Sequence, residues 1–348
     1  MTEQIRKFPD LESVKRSYTA KGFSPNIASI ISNARKQSTQ TVYNARLKLF
    51  DSWCQERGIN PSTSTVPEIA EFLMFLHTVK NCKPITLAGY KSAIALIHSS
   101  KDRISINKDL RNLIKGLYNI NPPIRQLAPN WDLPYVLLML TKTPFEPLEE
   151  AELKYFTLKT VFLLALASAA RVSELHSFTI KDKHFRKEQR GIRLLPNMQF
   201  LAKTQTLNKP WEPVFIPKFE NYATDPNDLL LCPCRALLAY IERTEVLRKS
   251  QKNHHVEASK NSIARWIVNT VKYAYEHANT DTLQFVRAHD STSWALFNGL
   301  SSQEILKAAH WSNETTFTSY YLKDVPDLES RFAKAAILHT ANRKQKKY

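Results

Sequence analysis

The residues best suited to chemistry lie close together near the C-terminal end of the sequence, between positions 287 and 325. This stretch carries an arginine, two histidines, two tryptophans and a pair of adjacent tyrosines, set around an apolar repeat of helical period. Tyrosine can act as a nucleophile, and arginine, histidine and tryptophan side chains donate hydrogen bonds. A segment that combines a core-forming pattern with so many reactive groups is predicted to form part of a functional site.

The overall charge indicates a polyanionic partner. The 348 residues include 49 Lys and Arg against 32 acidic residues, a formal net charge of +17, which is typical of nucleic-acid binders. An anionic membrane would also attract this charge, but no apolar run approaches the roughly 18 residues of a spanning helix. The first residues also lack the apolar core of a signal peptide. A ribosomal-type basic protein is the remaining alternative, although an apolar content of 43% is high for that class.

Cysteine and glycine usage argues against metal and nucleotide sites. Cys54 and Cys82 are isolated, and Cys232 and Cys234 form a Cys-Pro-Cys that lacks the second ligand pair a zinc site needs. We therefore expect reduced thiols, no bound metal and an intracellular protein. Only six glycines are present, so phosphate-cradling loops are not expected, and neither is a nucleotide cofactor.

The first third of the chain follows helical periods. Residues 1–24 are polar and predict a loosely held arm, whereas residues 25–118 predict a compact bundle of four or five helices. Ser38 and Thr39 are expected to cap one helix, and Thr65, followed by proline and glutamate, to cap the next.

The polar faces of these helices are strongly basic. They carry Arg35, Lys36, Arg46, Lys48, Lys83, Lys91, Lys101, Lys108, Arg111 and Lys115. Any single one of these cations can be explained as a solvated surface charge, but the collective excess predicts contacts with nucleic-acid phosphates.

A proline-bearing linker over residues 119–130 separates this block from a second domain, residues 131–325. The second domain should open with a short helix at 133–140 and a longer one from Pro147, which includes a fully apolar stretch typical of a buried core helix. Arg171 follows that helix directly. Pairing with Glu174, one turn on, is a purely structural explanation of this arginine.

The period then changes from helical to alternating. Short strands are predicted at 191–195, 198–203 and 212–217, which would form a small antiparallel sheet with Lys203 at the tip of the second hairpin. Two helices are expected to follow, near 234–248 and 262–277. The sequence thus predicts a mainly α fold with a small antiparallel β-sheet. Residues 326–348 combine a helical pattern with a basic end; the helix could dock on a neighbouring molecule or on its own chain.

Five short motifs follow one another along the chain: A-R-V-S-E-L, F-L-A-K-T, R-A-H-D, H-W-S and a terminal tyrosine. Their order resembles that in the catalytic domain of the tyrosine recombinase, or phage integrase, family. The first block is similar to that family's helical core-binding (SAM-like) domain. L-C-P-C-R-A-L and W-S-N-E-T-T-F-T-S-Y-Y-L resemble most closely the recombinases of eukaryotic DIRS-type and Crypton mobile elements.

The resemblance implies a DNA recombination and integration enzyme. Such an enzyme breaks and rejoins duplex DNA through a 3′-phosphotyrosine ester, without metal, ATP or another cofactor. The implied partners are double-stranded DNA and further copies of the chain, assembled as a tetramer on paired sites, with no membrane. A eukaryotic origin would imply a nuclear location.

The resemblance also implies a role for each matching residue. It assigns the first family arginine to Arg171, the proton donor to Lys203, the assisting histidine to His289, the indole donor to Trp311 and the nucleophile to Tyr321, with Tyr320 as the alternative. Glu174 is expected to support Arg171, and His310 to take no part in the chemistry. DNA contacts are expected from Arg35, Lys36, Arg46, Lys83, Lys91 and Arg287.

The sequence departs from the family pattern at one position. The second family arginine should stand three residues after His289, where this chain has Thr292, and the flanking residues read as a short deletion. Arg287 points away from that position on a helix and cannot replace it. Two hypotheses follow: a working recombinase, and a recombinase-derived DNA-binding protein, domesticated from a mobile element, that has lost cleavage. A helical interaction scaffold is a third and predicts no salt-dependent DNA binding.

Overall fold

The structure, a computed structural model, describes residues 14–15, 18–19, 21–122, 133–181, 183–203, 205–206, 208, 210–249, 258–276, 295, 300–311 and 313–320. The chain divides into two compact units, Met1–Arg125 and Gln126–Tyr348. Helices dominate the described part of both units, and that of the second includes a three-stranded antiparallel sheet. The predicted mainly α fold with a small antiparallel sheet is therefore confirmed.

The described part of the first unit is helical. Its helices are α1 (Pro25–Ser32), α2 (Gln37–Gln55), α3 (Val66–Thr78), α4 (Pro84–Ile97), α5 (Lys101–Ser105) and α6 (Lys108–Ile120). Helix α3 begins as predicted, because Glu68 N–H donates to Thr65 Oγ1 (3.4 Å) and Thr65 N–H donates to Glu68 Oε2 (2.7 Å). The predicted caps of α2 are wrong: Lys36 is the N-cap, and Ser38 and Thr39 lie inside the first turn.

The core of the first unit is built around Phe72, which is fully buried. Its ring centroid lies 4.8 Å from Phe50, 5.4 Å from Trp53 and 5.8 Å from Tyr90, so that α2, α3 and α4 meet at one aromatic cluster. Such tilted and edge-to-face pairs add to the hydrophobic stabilisation of the buried rings. The same core also includes apolar residues of α6, among them Leu110.

The second unit contains nine described α-helices, a short 3₁₀ helix (Phe219–Asn221) and three strands. The helices are α7 (Leu133–Leu140), α8 (Leu153–Ser168), α9 (Val172–Leu175), α10 (Pro226–Leu230), α11 (Pro233–Arg243), α12 (Glu245–Lys249), α13 (Lys260–Glu276), α14 (Ser302–Ala308) and α15 (Glu314–Tyr320). The strands are β1 (Phe185–Glu188), β2 (Gly191–Leu194) and β3 (Val214–Pro217). Helix α8 packs against α11 and α13, and its Phe162 and Leu163 share a buried cluster with residues of α7, which confirms the predicted buried core helix.

Two helix predictions in this unit need correction. Helix α8 begins at Leu153 and not at Pro147, because the preceding residues form a turn in which Leu148 N–H donates to the Glu146 carboxylate (3.1 Å). The single helix predicted over 234–248 is two helices, separated at Thr244.

The sheet also differs from the prediction. Its order is β1-β2-β3, with Arg186 opposite Arg193 and Ile192 opposite Ile216. Residues 198–203 were predicted as a strand and are not one, because Asn197 starts a turn in which its carbonyl accepts from Phe200 N–H (3.0 Å). Strand β1 was missed, since its sequence is mostly charged and its middle residues are exposed.

Within the described residues, no helix combines the length and the apolar character needed to cross a membrane.

Candidate active site

Arg171 sits where the core helix of the second unit ends. Helix α8 stops at Ser168, and Ala169 adopts a left-handed conformation (φ 47°), which turns the chain out of the helix direction. That conformation is unfavourable for a residue with a Cβ, by about 1–2 kcal/mol, so the surrounding packing must impose it. Arg171 then forms the N-cap of the one-turn helix α9.

The guanidinium of Arg171 is oriented by a buried carboxylate. Arg171 Nη1 donates to Glu174 Oε1 (2.9 Å), and the backbone N–H of Arg171 donates to Glu174 Oε2 (2.8 Å). The Glu174 side chain is 1% exposed, whereas that of Arg171 is 18% exposed. No other described residue accepts from this guanidinium. Arg171 therefore keeps N–H groups that can donate to the oxygens of an anion.

Trp311 packs against the turn that presents Arg171. Ala169, two residues before Arg171, belongs to one buried cluster with Ile305, Ala309, Trp311 and Phe317. The Trp311 side chain is buried, and its ring lies 5.9 Å from that of Phe317. The structure thus joins the two sequence segments that carry Arg171 and Trp311.

Lys203 lies on the long connection between β2 and β3. These strands pair directly, so the connection is the loop of a hairpin, although Lys203 does not follow a strand as predicted. The Lys203 side chain is exposed, while the adjacent Ala202 is fully buried and anchors the loop. An anchored backbone with an exposed amine is suited to reaching a bound ligand.

Sequence reasoning missed the contact that holds this loop. Near its end, Trp211 stacks on His310, with ring centroids 4.3 Å apart and an angle of 28° between the planes. His310 immediately precedes Trp311 and has a positive φ of 52°. The residue expected to take no part in chemistry thus ties the Lys203 loop to the Trp311 segment. The only available signal was the presence of two unexplained aromatic side chains.

Four positions singled out from the sequence lie outside the described residues. They are the predicted catalytic residues His289 and Tyr321, the predicted DNA contact Arg287, and Thr292, which stands at the position of the missing arginine. Tyr320 is the last residue of α15, and its side chain is not described.

The predicted DNA-binding cations of the first unit differ in their surroundings. Lys91 Nζ donates to the carbonyl of Ser105 (3.0 Å), and burial, with a smaller contribution from Arg111, lowers its pKa. Burial also lowers the pKa of Lys36. Lys83 is exposed at the N-cap of α4, and Arg35 is half-buried.

Helix α6 adds a basic face to the first unit. Lys108, Arg111 and Lys115 are exposed and spaced three and four residues apart, which places them on one side of the helix. A row of exposed cations on one helix face is suited to several successive phosphates.

The Cys-Pro-Cys segment has a structural position. Cys232 caps α11, where its sulfur accepts from Arg235 N–H (3.4 Å). Burial raises the pKa of Cys234 to about 11, which disfavours the thiolate that metal binding requires. The described residues contain no group of three or more His, Cys, Asp or Glu side chains arranged for a metal ion.

Two solved structures of a transposon integrase have a fold similar to that of this chain, and a third integrase structure aligns with a lower TM-score. A variant of a Tn1549 transposon integrase fragment, in complex with transposon right-end DNA, has a TM-score of 0.53 at 14% identity, covering 94% of this chain and 99% of that chain. The same fragment with circular intermediate DNA has a TM-score of 0.51 at 13% identity, covering 93% and 98%. A lambda integrase dimer bound to a core site has a TM-score of 0.48 at 15% identity, covering 84% and 91%.

No family model and no curated protein matches the chain. The two Tn1549 matches show that this chain shares the fold of that integrase.

Proposed function

We propose that this chain is a tyrosine recombinase that binds duplex DNA and breaks and rejoins its strands through a 3′-phosphotyrosine intermediate. The observation that carries the proposal is the position of the Arg171 guanidinium, which is oriented by buried Glu174 and is itself partly exposed. It stands on a turn packed against the Trp311 segment, and the Lys203 loop contacts that segment through Trp211. The fold shared with the Tn1549 integrase, whose structures contain circular intermediate DNA or transposon right-end DNA, supports this function.

Each side chain has a defined part in the proposed reaction. The phenol oxygen of Tyr321 gives up its proton, with His289 as the assisting base, and attacks a phosphorus atom. A new P–O bond forms, and the bond from phosphorus to the 5′-oxygen breaks. A phenol of ordinary pKa, roughly 10, is a weak nucleophile, so its alignment and the neutralisation of developing charge must supply the rate. Arg171 donates to the non-bridging oxygens, and Lys203 gives a proton to the departing 5′-oxygen. The reverse steps rejoin the strand and release the tyrosine.

His289 and Trp311 complete the proposed site. His289 assists proton transfer, and Trp311 supplies an indole N–H for a phosphate oxygen once DNA binding uncovers its Nε1 atom, which is buried in this structure. Glu174 acts only through Arg171 and is a positioning residue.

A second candidate function is favoured by one feature of the sequence. Thr292 stands where the family resemblance expects a second arginine. Loss of one preorganised donor to the transition state typically costs about 3–4 kcal/mol, or roughly 10²–10³ in rate. The chain would then be a recombinase-derived protein that binds DNA and does not cut it.

A suicide-substrate assay tests both functions. Nicked duplexes, from a pool with a randomised core, release a short fragment after cleavage and so trap a covalent protein–DNA adduct. An adduct that Tyr321→Phe abolishes and Tyr320→Phe retains supports the recombinase. Salt-dependent binding without any adduct supports the binding protein, and a chain that does neither contradicts both.

The finer parts of the proposal concern origin, assembly and location. The motifs around Cys232 and Tyr321 support an origin in DIRS-type or Crypton mobile elements. Four copies would assemble on paired DNA sites, and the basic residues 343–347 would direct the chain to a nucleus. Light scattering with and without paired-site DNA would test the assembly.

A further inference from the structure

Arg46 of the first unit occupies an unusual position between α2 and α4. Its guanidinium lies against Gly89, where a Cβ atom would be only 2.3 Å from Nη1 and 2.6 Å from Cζ. The guanidinium carbon is also 5.9 Å from the centre of the Tyr43 ring and 5.4 Å from that of Tyr90. Two aromatic rings and a residue without a side chain therefore form a notch that fits this one cation.

The notch fixes the guanidinium without using its hydrogen bonds. Arg46 is half-buried, and no described residue forms a salt bridge with it or accepts a hydrogen bond from it. Neither α2 nor α4 carries an acidic residue except Asp51, which is 4% exposed and accepts from Gln55. An arginine placed only for stability would be expected to find an acceptor, since its planar head has five N–H donors.

A guanidinium that is held in place, and whose donors no described residue uses, matches one class of ligand. Its fork of parallel N–H groups fits two acceptor atoms on one edge, such as two oxygens of a phosphate or N7 and O6 of guanine. An arginine side chain normally loses conformational entropy when it binds a ligand. Because packing in the notch already restricts the Arg46 side chain in the unbound protein, less entropy is lost on binding.

We propose that Gly89, with the rings of Tyr43 and Tyr90, positions Arg46 to donate two hydrogen bonds to a double-acceptor group of duplex DNA. The proposal rests on the DNA-binding function proposed above and adds a positioning device to it. Gly89 is a positioning residue in this scheme, since its lack of a Cβ keeps the guanidinium in place.

The decisive variant is Gly89→Ala, which retains the arginine and displaces it. The new Cβ meets only the end of the flexible Arg46 side chain among its nearest neighbours, so the guanidinium moves and the helix does not. Alanine also has the higher helix propensity, so thermal stability should stay equal or rise. Gly116→Ala in α6 is the matched control, because its added Cβ meets nothing within 4 Å.

DNA binding is measured by fluorescence anisotropy of full-length variants with a mixed-sequence duplex over a series of salt concentrations. Arg46→Gln and Gly89→Ala should both weaken binding, by about ten-fold for the loss of a bidentate contact, while Gly116→Ala binds as the parent. Thermal melting of each variant confirms that Gly89→Ala is not destabilised.

Two arms separate the possible acceptors. If Arg46 contacts a phosphate, Arg46→Gln lowers the salt slope of binding by about one and weakens all sequences alike. If it contacts guanine, selection from a random duplex pool shows a preferred guanine that both variants lose.

Three results would overturn the proposal. If Arg46→Gln binds DNA as the parent does, Arg46 does not contact the DNA. If Arg46→Gln binds more weakly but Gly89→Ala binds as the parent does, Gly89 does not position Arg46. A parent chain that shows no salt-dependent DNA binding overturns the proposed function itself, and this inference with it.

Discussion

Glu146 links four donors in the interior of the second unit, and its replacement should destabilise that unit strongly. Its carboxylate accepts from Arg235 Nη1 (2.8 Å) and Nη2 (3.0 Å), from the backbone N–H of Leu148 (3.1 Å), and from Lys159 Nζ. Lys159 is fully buried, and its other acceptor is the carbonyl of Leu140 (2.7 Å). The network joins the segment before α8 to both α8 and α11.

Glu146→Gln keeps the shape of the side chain and removes its charge. The Lys159 ammonium is then buried without a counter-ion, whereas Arg235, one-third exposed, can turn to water. Breaking a buried pair in this way typically costs about 3–5 kcal/mol. Deprotonation of Lys159 limits the part of this cost that comes from its charge: because burial lowers its pKa to about 8, the buried ammonium can lose its proton at pH 7 for about 1.4 kcal/mol. The rest of the loss comes from the hydrogen bonds of the Glu146 carboxylate.

The reasoning also predicts a coupling between the two buried residues. Lys159→Met removes the charge, keeps the Glu146–Arg235 pair and leaves the Leu140 carbonyl unsatisfied, at about 1–3 kcal/mol. In the double variant no buried cation lacks a partner. The losses in unfolding free energy of the two single variants should therefore add up to more than the loss in the double variant, by about 1–3 kcal/mol.

Amide hydrogen exchange of the full chain, followed by mass spectrometry, measures the opening free energy of each segment. Peptides of α8 should lose protection in Glu146→Gln, and peptides of α2, in the other unit, provide the internal reference. Glu220→Gln makes the same change in the exposed Lys218–Glu220 pair (2.7 Å) and should change little. A loss below about 1 kcal/mol in Glu146→Gln, or additive single and double variants, would refute this account.

Two further predictions concern pH and the candidate site. Burial lowers the pKa of Lys159 to about 8, so between pH 8 and the ordinary value of 10.5 the unfolded chain binds more protons than the folded one. The unfolding free energy of the second unit should therefore rise over this window by up to about 1.4 kcal/mol per pH unit. If the difference in unfolding free energy between the parent and Lys159→Met stayed constant with pH, this prediction would be wrong. Glu174→Gln removes the counter-ion that orients Arg171 and should slow adduct formation with the nicked duplex by about 10- to 100-fold. An unchanged rate would show that Glu174 does not position Arg171.

The features that the sequence predicted correctly depend on local physics. The apolar stretch after residue 160 marked α8 as a buried helix, because a helix that is apolar all round has no solvent face. Thr65 and Glu68 marked the start of α3, since a capping box needs only residues three apart. The mainly helical fold class was predicted from apolar residues that recur with the period of an α-helix. The ordered motifs around Arg171, Lys203 and Trp311 indicated a recombinase-like domain, and their roles stay predictions.

The features that only the tertiary structure decided depend on partners distant in the chain. The apolar and polar residues of 198–203 alternate as they do in a strand, but the turn that begins at Asn197 leaves these residues outside the sheet. Arg235 meets Glu146 across 89 positions, and no local pattern distinguishes that arginine from a surface one. Trp211 finds His310 in the same way. Periodicity and capping are properties of neighbouring residues, whereas these contacts exist only once the chain has folded.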